Sequence, residues 1–534
     1  MTIAAILLAL AIIGAPLFVI VGVVTGAAYY LYTDTIEGFH SFTQLTAPME
    51  GLVSKGEFLA IPLFMAAGAI MTGGGLATRL VRVMKAGLGW MPGGLGVASV
   101  AACMFFAAIS GSSPVTLIAV GSIMVPAMVD AKYPENFSLG IVMTAGSLGC
   151  LVPPAISMLI YAISVSALPT GNVDPSQLFL AGLVPAVIIA GALSLYSIWV
   201  GFGIREAREK FDPKELFDAL VDGVWALLLP LVVLGGIYFG LYTPSKAGAV
   251  AVVYGLVVTM FIYRELDFKG VIDCLAEAGK LIGMLILIIG LAFGLNDFLA
   301  LIQVDKTLLS LIERWDLGPV GFLLLVNVVL IVLGALMDSI SATLIFAPML
   351  APLAVGHYGM DPLHFGVVFV VNMEIGYLMP PVATNLFVAA AVFKKPFGQV
   401  SRAVLPTLGI TIAALVLFMY VPTCSKGLVN WKSSVAIWEP FPWDGKPQSE
   451  LAADSAGGGQ IGAALERAKE DVLGGGDDGG DGGFADDDLG IGDAADDDGF
   501  ADDDLGIGGP DDDHGDEADA GYKGDFADDD LGID

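Results

Sequence analysis

Long apolar stretches run through residues 1–425 and restrict this chain to folds that suit a lipid bilayer. A membrane span needs about 20 mostly apolar residues. The composition agrees, because the chain is 56% hydrophobic and 15% charged, whereas soluble proteins are about 45–50% apolar and 25% charged. We therefore expect an all-α polytopic membrane protein and not an enzyme. The continuous stretches lie at 3–32, 57–74, 178–202, 223–241, 246–263, 278–302 and 401–422.

Four further apolar stretches are interrupted by polar residues or prolines. A helix that breaks at membrane depth leaves backbone N–H and C=O groups without partners. This is tolerated only where the backbone is buried in protein or lines a cavity, so the breaks indicate a functional site. They fall at Ser110–Pro114 within 94–130, at Gly146–Gly149 and Pro153–Pro154 within 137–168, at Asp338–Ser341 within 318–355, and at Asn372–Gly376 and Pro380–Pro381 within 364–395.

The interrupted stretches repeat at a constant offset in residue number, such that position n in the first copy corresponds to position n + 227 in the second. Chance supplies matching leucines and alanines in so biased a composition. It does not readily supply a double proline, a glycine and a Ser-x-x-x-Thr-Leu-Ile motif at one repeat offset, so the chain contains an internal duplication. The matched residues include Ser112 with Ser339, Thr116-Leu117-Ile118 with Thr343-Leu344-Ile345, Gly149 with Gly376, and Pro153-Pro154 with Pro380-Pro381.

The two copies are expected to have opposite orientations in the membrane. We interpret 94–130 and 318–355 as re-entrant hairpins whose tips are the polar breaks. Five crossings lie between them, and an odd number inverts the second copy. Such inverted repeats are typical of secondary transporters, whose sites lie between broken helices near the bilayer midplane. The predicted domains are two inverted repeats at 1–202 and 203–425, a linker at 426–449 and a disordered tail at 450–534.

Basic residues in the loops set the expected orientation, since cytoplasmic loops are enriched in Lys and Arg. The N-terminus is predicted to be cytoplasmic and the chain beyond Val421 periplasmic. Two basic segments, 76–91 and 303–317, are expected to lie along the two membrane faces as amphipathic arms. The loops predicted to be cytoplasmic are 75–93, 203–222, 264–277 and 394–402, while 169–177 and 356–363 hold no Lys or Arg.

The net charge of −31 comes mostly from the C-terminal tail. Residues 450–534 hold 29 Asp and Glu against 3 Lys and Arg, a net charge of −26. With few large apolar side chains, this tail cannot bury a core. The unit Phe-Ala-Asp-Asp-Asp-Leu-Gly-Ile recurs at 484, 500 and 526, which fits either a solvated polyanion or a periplasmic tether that binds Ca²⁺ weakly. Without a basic stripe, the chain is not predicted to bind nucleic acid.

The breaks supply the oxygen atoms that a Na⁺ ion needs in place of its water. Unwound carbonyls and hydroxyls coordinate cations, and the N-termini of half-helices attract anions. Asp338 is the only acid in its apolar stretch, which marks it as functional. We predict two related Na⁺ sites, one formed by Ser110, Gly111, Ser112, Ser113, Gly146, Gly149 and Val152, the other by Asp338, Ser339, Ser341, Gly376 and Met379.

The substrate is predicted to lie between the two hairpin tips. Polar side chains that follow each double proline are suited to line it, namely Ser157 in the first repeat and Thr384 and Asn385 in the second, together with Ser112 and Ser341. Glu374 fits either a proton or cation ligand or a residue that faces a water-filled vestibule. The four cysteines and four histidines show no spacing typical of a zinc or haem site.

These motifs resemble the large membrane subunit of the tripartite ATP-independent periplasmic (TRAP) transporters, of the dicarboxylate or sialic-acid type. The resemblance covers about 1–425. It lies in the SGSSPVT tip at 110–116, the DSISATLIFAP tip at 338–348, the LGCLVPPA stretch at 148–155 and the HFGVVFVVNMEIGYLMPPVATNLFV run at 364–388. Ala155 departs from the family, where Ser is common.

The resemblance implies an elevator-type carrier of the ion-transporter superfamily, coupled to Na⁺, that imports carboxylates or sugar acids. It implies a small four-helix membrane subunit from another gene, a periplasmic substrate-binding protein and a place in the bacterial inner membrane. It also maps the cation and substrate residues of the family onto Ser110, Ser112, Ser157, Asp338 and Ser341.

Three other functions compete with this prediction. The nearest is a stand-alone Na⁺- or H⁺-coupled anion carrier of the same superfamily that needs no binding protein. A channel would share the re-entrant hairpins but would not show saturable, ion-coupled uptake. An intramembrane enzyme would need a catalytic motif such as Gly-x-Ser-x-Gly or His-Glu-x-x-His, and the sequence has neither.

Overall fold

The computed structural model describes residues 17–32, 56–166, 173–204, 211–304, 317–380 and 383–441, together with Ser310, Arg314 and Trp315. These residues belong to a compact unit, Met1–Leu465, and they form helices without a strand. The predicted tail at 450–534 and most of the second arm lie outside the described residues. The predicted all-α polytopic class is confirmed, since nine described segments are long and apolar enough to cross a bilayer.

Seven α-helices form the first repeat up to the end of its broken helix. The helices are α1 (Leu17–Tyr32), α2 (Ala60–Gly73, preceded by a 3₁₀ turn at Gly56–Leu59), α3 (Leu76–Leu88), α4 (Gly94–Ser110), α5 (Ser113–Asp130), α6 (Glu135–Ser147, extended by a 3₁₀ turn at Leu148–Cys150) and α7 (Ile156–Val165). The predicted arm at 76–91 corresponds to α3.

Four long helices connect the repeats, and six more complete the described chain. The connecting helices are α8 (Pro175–Phe202), α9 (Pro213–Tyr238), α10 (Pro244–Leu256, continued by a π-helix at Val257–Ile262) and α11 (Phe268–Leu301). The remainder are α12 (Pro319–Leu336), α13 (Ser339–Pro352, continued by a π-helix at Leu353–His357), α14 (Pro362–Tyr377), α15 (Thr384–Phe393), α16 (Phe397–Met419) and α17 (Thr423–Lys432).

The repeat offset found in the sequence recurs in the helix boundaries. Both predicted hairpins are helix–break–helix units, α4–α5 and α12–α13, and both predicted broken helices are observed, α6–α7 and α14–α15. Glu135 and Pro362, which begin α6 and α14, are related by the repeat offset, and Ser113 and Ser339, which begin α5 and α13, depart from it by a single position. The duplicated sequence therefore folds twice into the same succession of elements.

The broken helices form the buried centre of the protein. Every residue of α7 is buried, as is every residue of α14 from Leu363 onward. A helix that is apolar on all sides is stable only inside a protein or a bilayer. In contrast, α11 exposes large apolar residues such as Leu281 and Met284, as expected of a helix on the lipid-facing surface. The unwound backbone is thus enclosed by protein, as membrane burial requires.

Two features differ from the sequence prediction. The sequence predicted a break at Asn372–Gly376, but helix α14 continues through these residues and ends only at Tyr377. It ends there because Pro380 has no backbone N–H to donate to the helix. The predicted linker at 426–449 contains most of helix α17. The mostly polar sequence of α17 shows no apolar periodicity that would predict a helix. The helix is stabilised by tertiary contacts, among them those of Lys426 with Asp361 and Glu439.

Candidate functional site

The first hairpin tip is a tight turn that is closed by its own hydroxyl groups. Helix α4 ends at Ser110, Gly111 takes the left-handed conformation (φ 60°), and Ser112 is extended before α5 begins. Glycine adopts this conformation without the penalty that a Cβ would impose. The Ser110 and Thr116 hydroxyls lie 2.8 Å apart, and the Thr116 hydroxyl donates to the Ser112 carbonyl at 2.8 Å.

The second tip has the same hydroxyl contact and adds a carboxylate. The Thr343 hydroxyl donates to the Ser339 carbonyl at 2.7 Å, and this pair matches Thr116 and Ser112 at the repeat offset. Asp338 is the N-cap of α13, because its carboxylate accepts from the Ser341 backbone N–H at 3.0 Å and from the Ser341 hydroxyl at 2.7 Å. The second tip is therefore negatively charged where the first is neutral.

Each broken helix contacts the hairpin of its own repeat through the backbone. The Ile156 N–H donates to the Gly111 carbonyl at 3.3 Å, and the Ala383 N–H donates to the Ala335 carbonyl at 3.1 Å. Ile156 and Ala383 are equivalent positions at the repeat offset. Both N–H groups belong to the start of a half-helix, where four such donors lack intrahelical partners. The hairpins thereby satisfy part of the backbone that the breaks expose.

Two matched glycines permit the close approach. A Cβ on Gly149 would lie 2.9 Å from the carbonyl carbon of Ser112, and one on Gly376 would lie 2.7 Å from the Cα of Gly334. Both distances are shorter than real Cβ contacts, and the neighbouring atoms belong to the backbone. The predicted involvement of these two glycines therefore has a steric reason: they let each broken helix lie directly against its hairpin.

The two repeats also contact each other reciprocally. The Ser157 and Ser339 hydroxyls lie 3.3 Å apart, which joins α7 to the second tip. The Asn385 side-chain amide donates to the Ser113 hydroxyl at 2.6 Å, which joins α15 to the first tip. Each broken helix thus reaches the tip of the other repeat, as an approximate two-fold relation requires.

A further contact marks the position of this pseudo-two-fold axis. Ser147 on α6 and Glu374 on α14 are equivalent positions at the repeat offset, and the Ser147 hydroxyl faces the Glu374 carboxyl. Equivalent residues approach each other only near the symmetry axis. Glu374 is buried, and its Oε2 atom has no hydrogen-bond partner among the described residues. The first halves of the two broken helices therefore end close to the axis.

A small cleft, of about 90 Å³, lies between the two tips. Its walls come from equivalent places in the two repeats, because Gly111, Ser112 and Cys150 on one side match Asp338, Ser339 and Tyr377 on the other at the repeat offset. The remaining lining residues are Ser113, Pro114, Ile156, Ser157 and Ile340. Seven lining positions fall in the two hairpin tips, so the tips form most of the cleft.

The polar groups of the cleft suit a hard cation. Serine hydroxyls and the Asp338 carboxylate line it, and none of its lining residues is Lys, Arg or His. Oxygen atoms are the ligands that hard cations prefer. The described residues contain no group of three or more His, Cys, Asp or Glu side chains placed to hold a metal ion. An anionic substrate would need a bound cation to offset Asp338.

The sequence-predicted site residues fall into three groups in the structure. Ser112, Ser113, Ser157, Asp338 and Ser339 line the cleft together with Gly111. Ser110, Val152, Ser341 and Asn385 are buried behind it, and Gly146 and Gly149 pack on the first hairpin, as Gly376 does on the second. Met379 is exposed, and the side chain of Thr384 lies outside the described residues.

Several residues of the site were not selected from the sequence, and four of them are polar. Cys150 and Tyr377 line the cleft, and Thr116 and Thr343 close the tips. All four form pairs at the repeat offset. Cys150 and Tyr377 occupy equivalent positions but are different residue types. A search of the repeat for identical residues alone therefore misses them.

The family model and the similar proteins found by comparison point to the same protein family. A family model described as the tripartite ATP-independent periplasmic transporter, DctM component, matches residues 4–424. The C4-dicarboxylate TRAP transporter large permease protein DctM of Pseudomonas aeruginosa is 41% identical over 375 residues, which are 70% of this chain and 86% of that protein. The 2,3-diketo-L-gulonate TRAP transporter large permease protein YiaN of Escherichia coli is 33% identical over 365 residues, 68% of this chain and 84% of that protein.

Two further similarities concern a longer permease and a solved structure. The isethionate TRAP transporter permease protein DctMQ of Oleidesulfovibrio alaskensis is 38% identical over 367 residues, 68% of this chain and 56% of that protein. The crystal structure of the Alcanivorax borkumensis YdaH transporter has a TM-score of 0.54 and 14% sequence identity, and the match covers 79% of this chain and 98% of that chain. This second similarity is one of fold.

Proposed function

The chain belongs to the DctM component family of the tripartite ATP-independent periplasmic transporters, and on that basis we propose that it is the large transmembrane subunit of a Na⁺-coupled importer of an organic acid. The family is one of transporter permeases, not of enzymes. One observation supports the ion and the site above the others: the cleft between two equivalent hairpin tips carries serine hydroxyls and the Asp338 carboxylate but no basic side chain.

The proposed Na⁺ ions are held at the two tips. Near the first tip, the hydroxyls and carbonyls of Ser110, Gly111, Ser112 and Ser113 act with the broken-helix carbonyls at Gly146, Gly149 and Val152. Near the second, Asp338, Ser339 and Ser341 act with the carbonyls at Gly376 and Met379. When bound, these cations supply positive charge next to the substrate. The residues themselves orient the oxygens; most of them are buried, while Ser112 and Asp338 are partly exposed at the cleft.

The proposed substrate is a small carboxylate or sugar acid. The relatives described above are named for C4-dicarboxylates, isethionate and 2,3-diketo-L-gulonate, which are all organic anions. The cleft is small, so it suits a small organic anion better than a large one. Ser112 and Ser157 offer hydroxyls to the substrate, and the N-termini of α5, α7 and α13 begin beside the cleft and favour negative charge. Thr384 completes the proposed lining, while Asn385 and Ser341 support it from behind.

The proposed partners are a small four-helix membrane subunit and a periplasmic protein that delivers the substrate. The chain is then a multi-pass protein of the bacterial inner membrane, with its N-terminus in the cytoplasm and the acidic tail in the periplasm. Movement of the cleft between the two membrane faces, as in an elevator, would give alternating access. The two reciprocal side-chain contacts would keep the tips together during that movement.

Uptake into proteoliposomes tests the proposal. The vesicles contain this chain with its small subunit, and labelled organic acids are supplied with or without the periplasmic binding protein under an inward Na⁺ gradient. The proposed function requires uptake that depends on both the Na⁺ gradient and the binding protein.

Two results would overturn parts of the proposal separately. Uptake without the binding protein would make the chain a stand-alone carrier. Uptake that follows a proton gradient and ignores Na⁺ would remove the two proposed Na⁺ sites. Vesicles that contain the small subunit alone serve as the control.

A further inference from the structure

A short helical segment follows the last membrane span and extends past the part of the chain that the family model matches. Helix α17 begins at Thr423, shortly after the α16 C-cap Tyr420, and the chain then turns back as far as Phe441. The family match ends at residue 424. The segment Thr423–Phe441, called the α17 segment below, thus lies mostly beyond the residues that the family model matches.

A partly buried ion pair fixes this segment to the core. The Lys426 ammonium lies 2.7 Å from an Asp361 carboxylate oxygen and 2.6 Å from a Glu439 carboxylate oxygen. Asp361 is the N-cap of broken helix α14, where its other oxygen accepts from the Leu363 N–H at 2.8 Å. Lys426 therefore connects the returning end of the α17 segment directly to the start of a central helix.

Further hydrogen bonds hold the returning chain in place. Glu439 accepts from the Asn430 side-chain amide at 3.2 Å, and its backbone N–H donates to the Thr423 hydroxyl at 3.0 Å. The buried Phe441 ring packs edge-on against Tyr420, with centroids 5.5 Å apart. The turn between α17 and Glu439 is thus anchored at both ends, and its outward side chains have a defined position.

That turn presents large apolar side chains to its surroundings. Trp431 and Trp438 are each 70% exposed, and Val435 and Ile437 between them are also exposed. The opposite side of α17 is buried through Ser425, Gly427 and Val429. The turn therefore exposes four large apolar side chains close together, which contact with water does not favour.

The depth of the α17 segment follows from the length of α16. Helix α16 has 23 residues, which at 1.5 Å per residue correspond to about 34 Å. The hydrocarbon core of a bilayer is about 30 Å thick. Only Tyr420, Val421 and Pro422 separate α16 from α17. The α17 segment must therefore lie at the membrane surface, level with the lipid headgroups.

We propose that Trp431, Val435, Ile437 and Trp438 insert into the headgroup region of the bilayer and anchor the α17 segment there. Trp is enriched at this depth because its ring is apolar while its N–H can still be hydrated. Lys432, which is exposed beside Trp431, suits the phosphates at the same level. Through Lys426 and Asp361 the anchor fixes the start of broken helix α14 relative to the membrane surface.

Quenching of tryptophan fluorescence by brominated lipids tests this anchor. The full chain is reconstituted with its small subunit in phosphatidylcholine–phosphatidylglycerol vesicles that carry bromine either at acyl positions 6 and 7, near the headgroups, or at positions 11 and 12, deeper in the core. The emission of Trp431 and Trp438 is obtained as the difference between the parent and a Trp431→Phe, Trp438→Phe double variant. We expect the shallow bromines to quench this difference about twofold more than the deep ones.

Two controls show whether the quenching result depends on the Trp431→Phe and Trp438→Phe substitutions themselves. A Trp225→Phe variant gives the corresponding difference for Trp225, which lies within span α9. The emission of Trp225 should be quenched by the deep bromines at least as strongly as by the shallow ones. An environment-sensitive label on Ser433→Cys, with both tryptophans in place, should report an apolar surrounding in vesicles.

The outcome that overturns the anchor is quenching by aqueous iodide without quenching by either brominated lipid. In that case the patch faces water. If the same emission then shifted on addition of the periplasmic binding protein, the patch would be a protein-docking surface. Equal quenching by shallow and deep bromines would place the residues below the headgroups and would also contradict the proposal.

Discussion

The Ser157 hydroxyl of the first repeat lies 3.3 Å from the Ser339 hydroxyl of the second, at the edge of the cleft between the hairpin tips. Asn385 and Ser113 make the reciprocal contact on the other side. Each broken helix is therefore supported by both hairpins, by its own through backbone hydrogen bonds and by the other through side chains. This crossed arrangement explains how unwound segments keep a defined geometry at membrane depth.

The Asn385–Ser113 contact is expected to position the first tip for transport. Replacement of one partner in a buried hydrogen bond leaves the other unsatisfied and costs about 1–3 kcal/mol. Asn385→Ala and Ser113→Ala should each lower the uptake rate about fivefold or more. The double variant should be little worse than either single variant, since both remove one interaction. Initial rates of uptake for the three variants measure the energetic coupling between Asn385 and Ser113. If the loss in the double variant equals the product of the two single losses, the two residues do not act together.

The two matched glycines should tolerate no side chain. Alanine at Gly149 or Gly376 would place a Cβ within 3 Å of hairpin backbone, and overpacking of this kind costs about 1–3 kcal/mol. Gly149→Ala and Gly376→Ala should therefore reduce both thermal stability in detergent and uptake. Gly191→Ala is the matched control, because nothing lies within 4 Å of its Cβ position. Normal uptake by both variants would show that the broken helices do not need this close approach.

Asp338 is expected to contribute charge to the cation site beyond its role as a helix N-cap. Asn is as good an N-cap as Asp, so Asp338→Asn should leave α13 intact while it removes the only acid in the cleft lining. The Na⁺ concentration that gives half-maximal uptake should rise about tenfold or more. Asp174→Asn is the control, since Asp174 caps α8 in the same way, with the Ser176 N–H at 2.9 Å. An unchanged Na⁺ dependence for Asp338→Asn would contradict the role.

Lys426 should stabilise the α17 segment over a wide pH range. Burial lowers the pKa of Lys426, but the carboxylates of Asp361 and Glu439 outweigh this effect and raise it overall. A group with a raised folded-state pKa contributes stability that is complete below its unfolded pKa, about 10.4 for Lys, and is lost as the pH rises through the folded-state pKa. The contribution should thus be constant between pH 6 and 9 and should decline above pH 10.4.

Lys426→Met tests this contribution. It leaves two partly buried carboxylates without their cation, so thermal stability should fall by an amount that corresponds to about 1–3 kcal/mol. Lys432→Met, on the exposed end of the same helix, should have little effect. Thermal unfolding followed by circular dichroism at pH 7 and pH 9 measures both. A loss of stability for Lys432→Met as large as that for Lys426→Met would contradict the role of the ion pair.

Much of the fold was predictable because its causes are local in the sequence. Span length, breaks at Gly and Pro, and the repeat offset located both hairpins and both broken helices. The end of α14 was not predictable, since Asn372–Gly376 contains polar residues that normally interrupt an apolar helix. Asn372 is accommodated because its side-chain amide donates to the Val368 carbonyl within a fully buried helix.

The site was predicted less completely, for a physical reason. Ser112, Ser157 and Asp338 could be selected from the sequence because hydroxyls and a carboxylate are rare at membrane depth; all three line the cleft, and their roles there stay predictions. Cys150 and Tyr377 also line the cleft, but an apolar stretch contains such residues without any functional need. Likewise, the α17 segment is stabilised by Lys426, Asp361 and Glu439, which lie far apart along the chain and show no local pattern.

The dependence of initial uptake on Na⁺ concentration tests the central claim most directly. It is measured in proteoliposomes with the small subunit and the binding protein present, at constant pH and with membrane potential held at zero. If two Na⁺ ions bind at the two tips and enter with the substrate, uptake should rise sigmoidally with a Hill coefficient of about 2, and Asp338→Asn should shift the curve to higher Na⁺. Uptake that is unchanged when choline replaces Na⁺ would contradict the account.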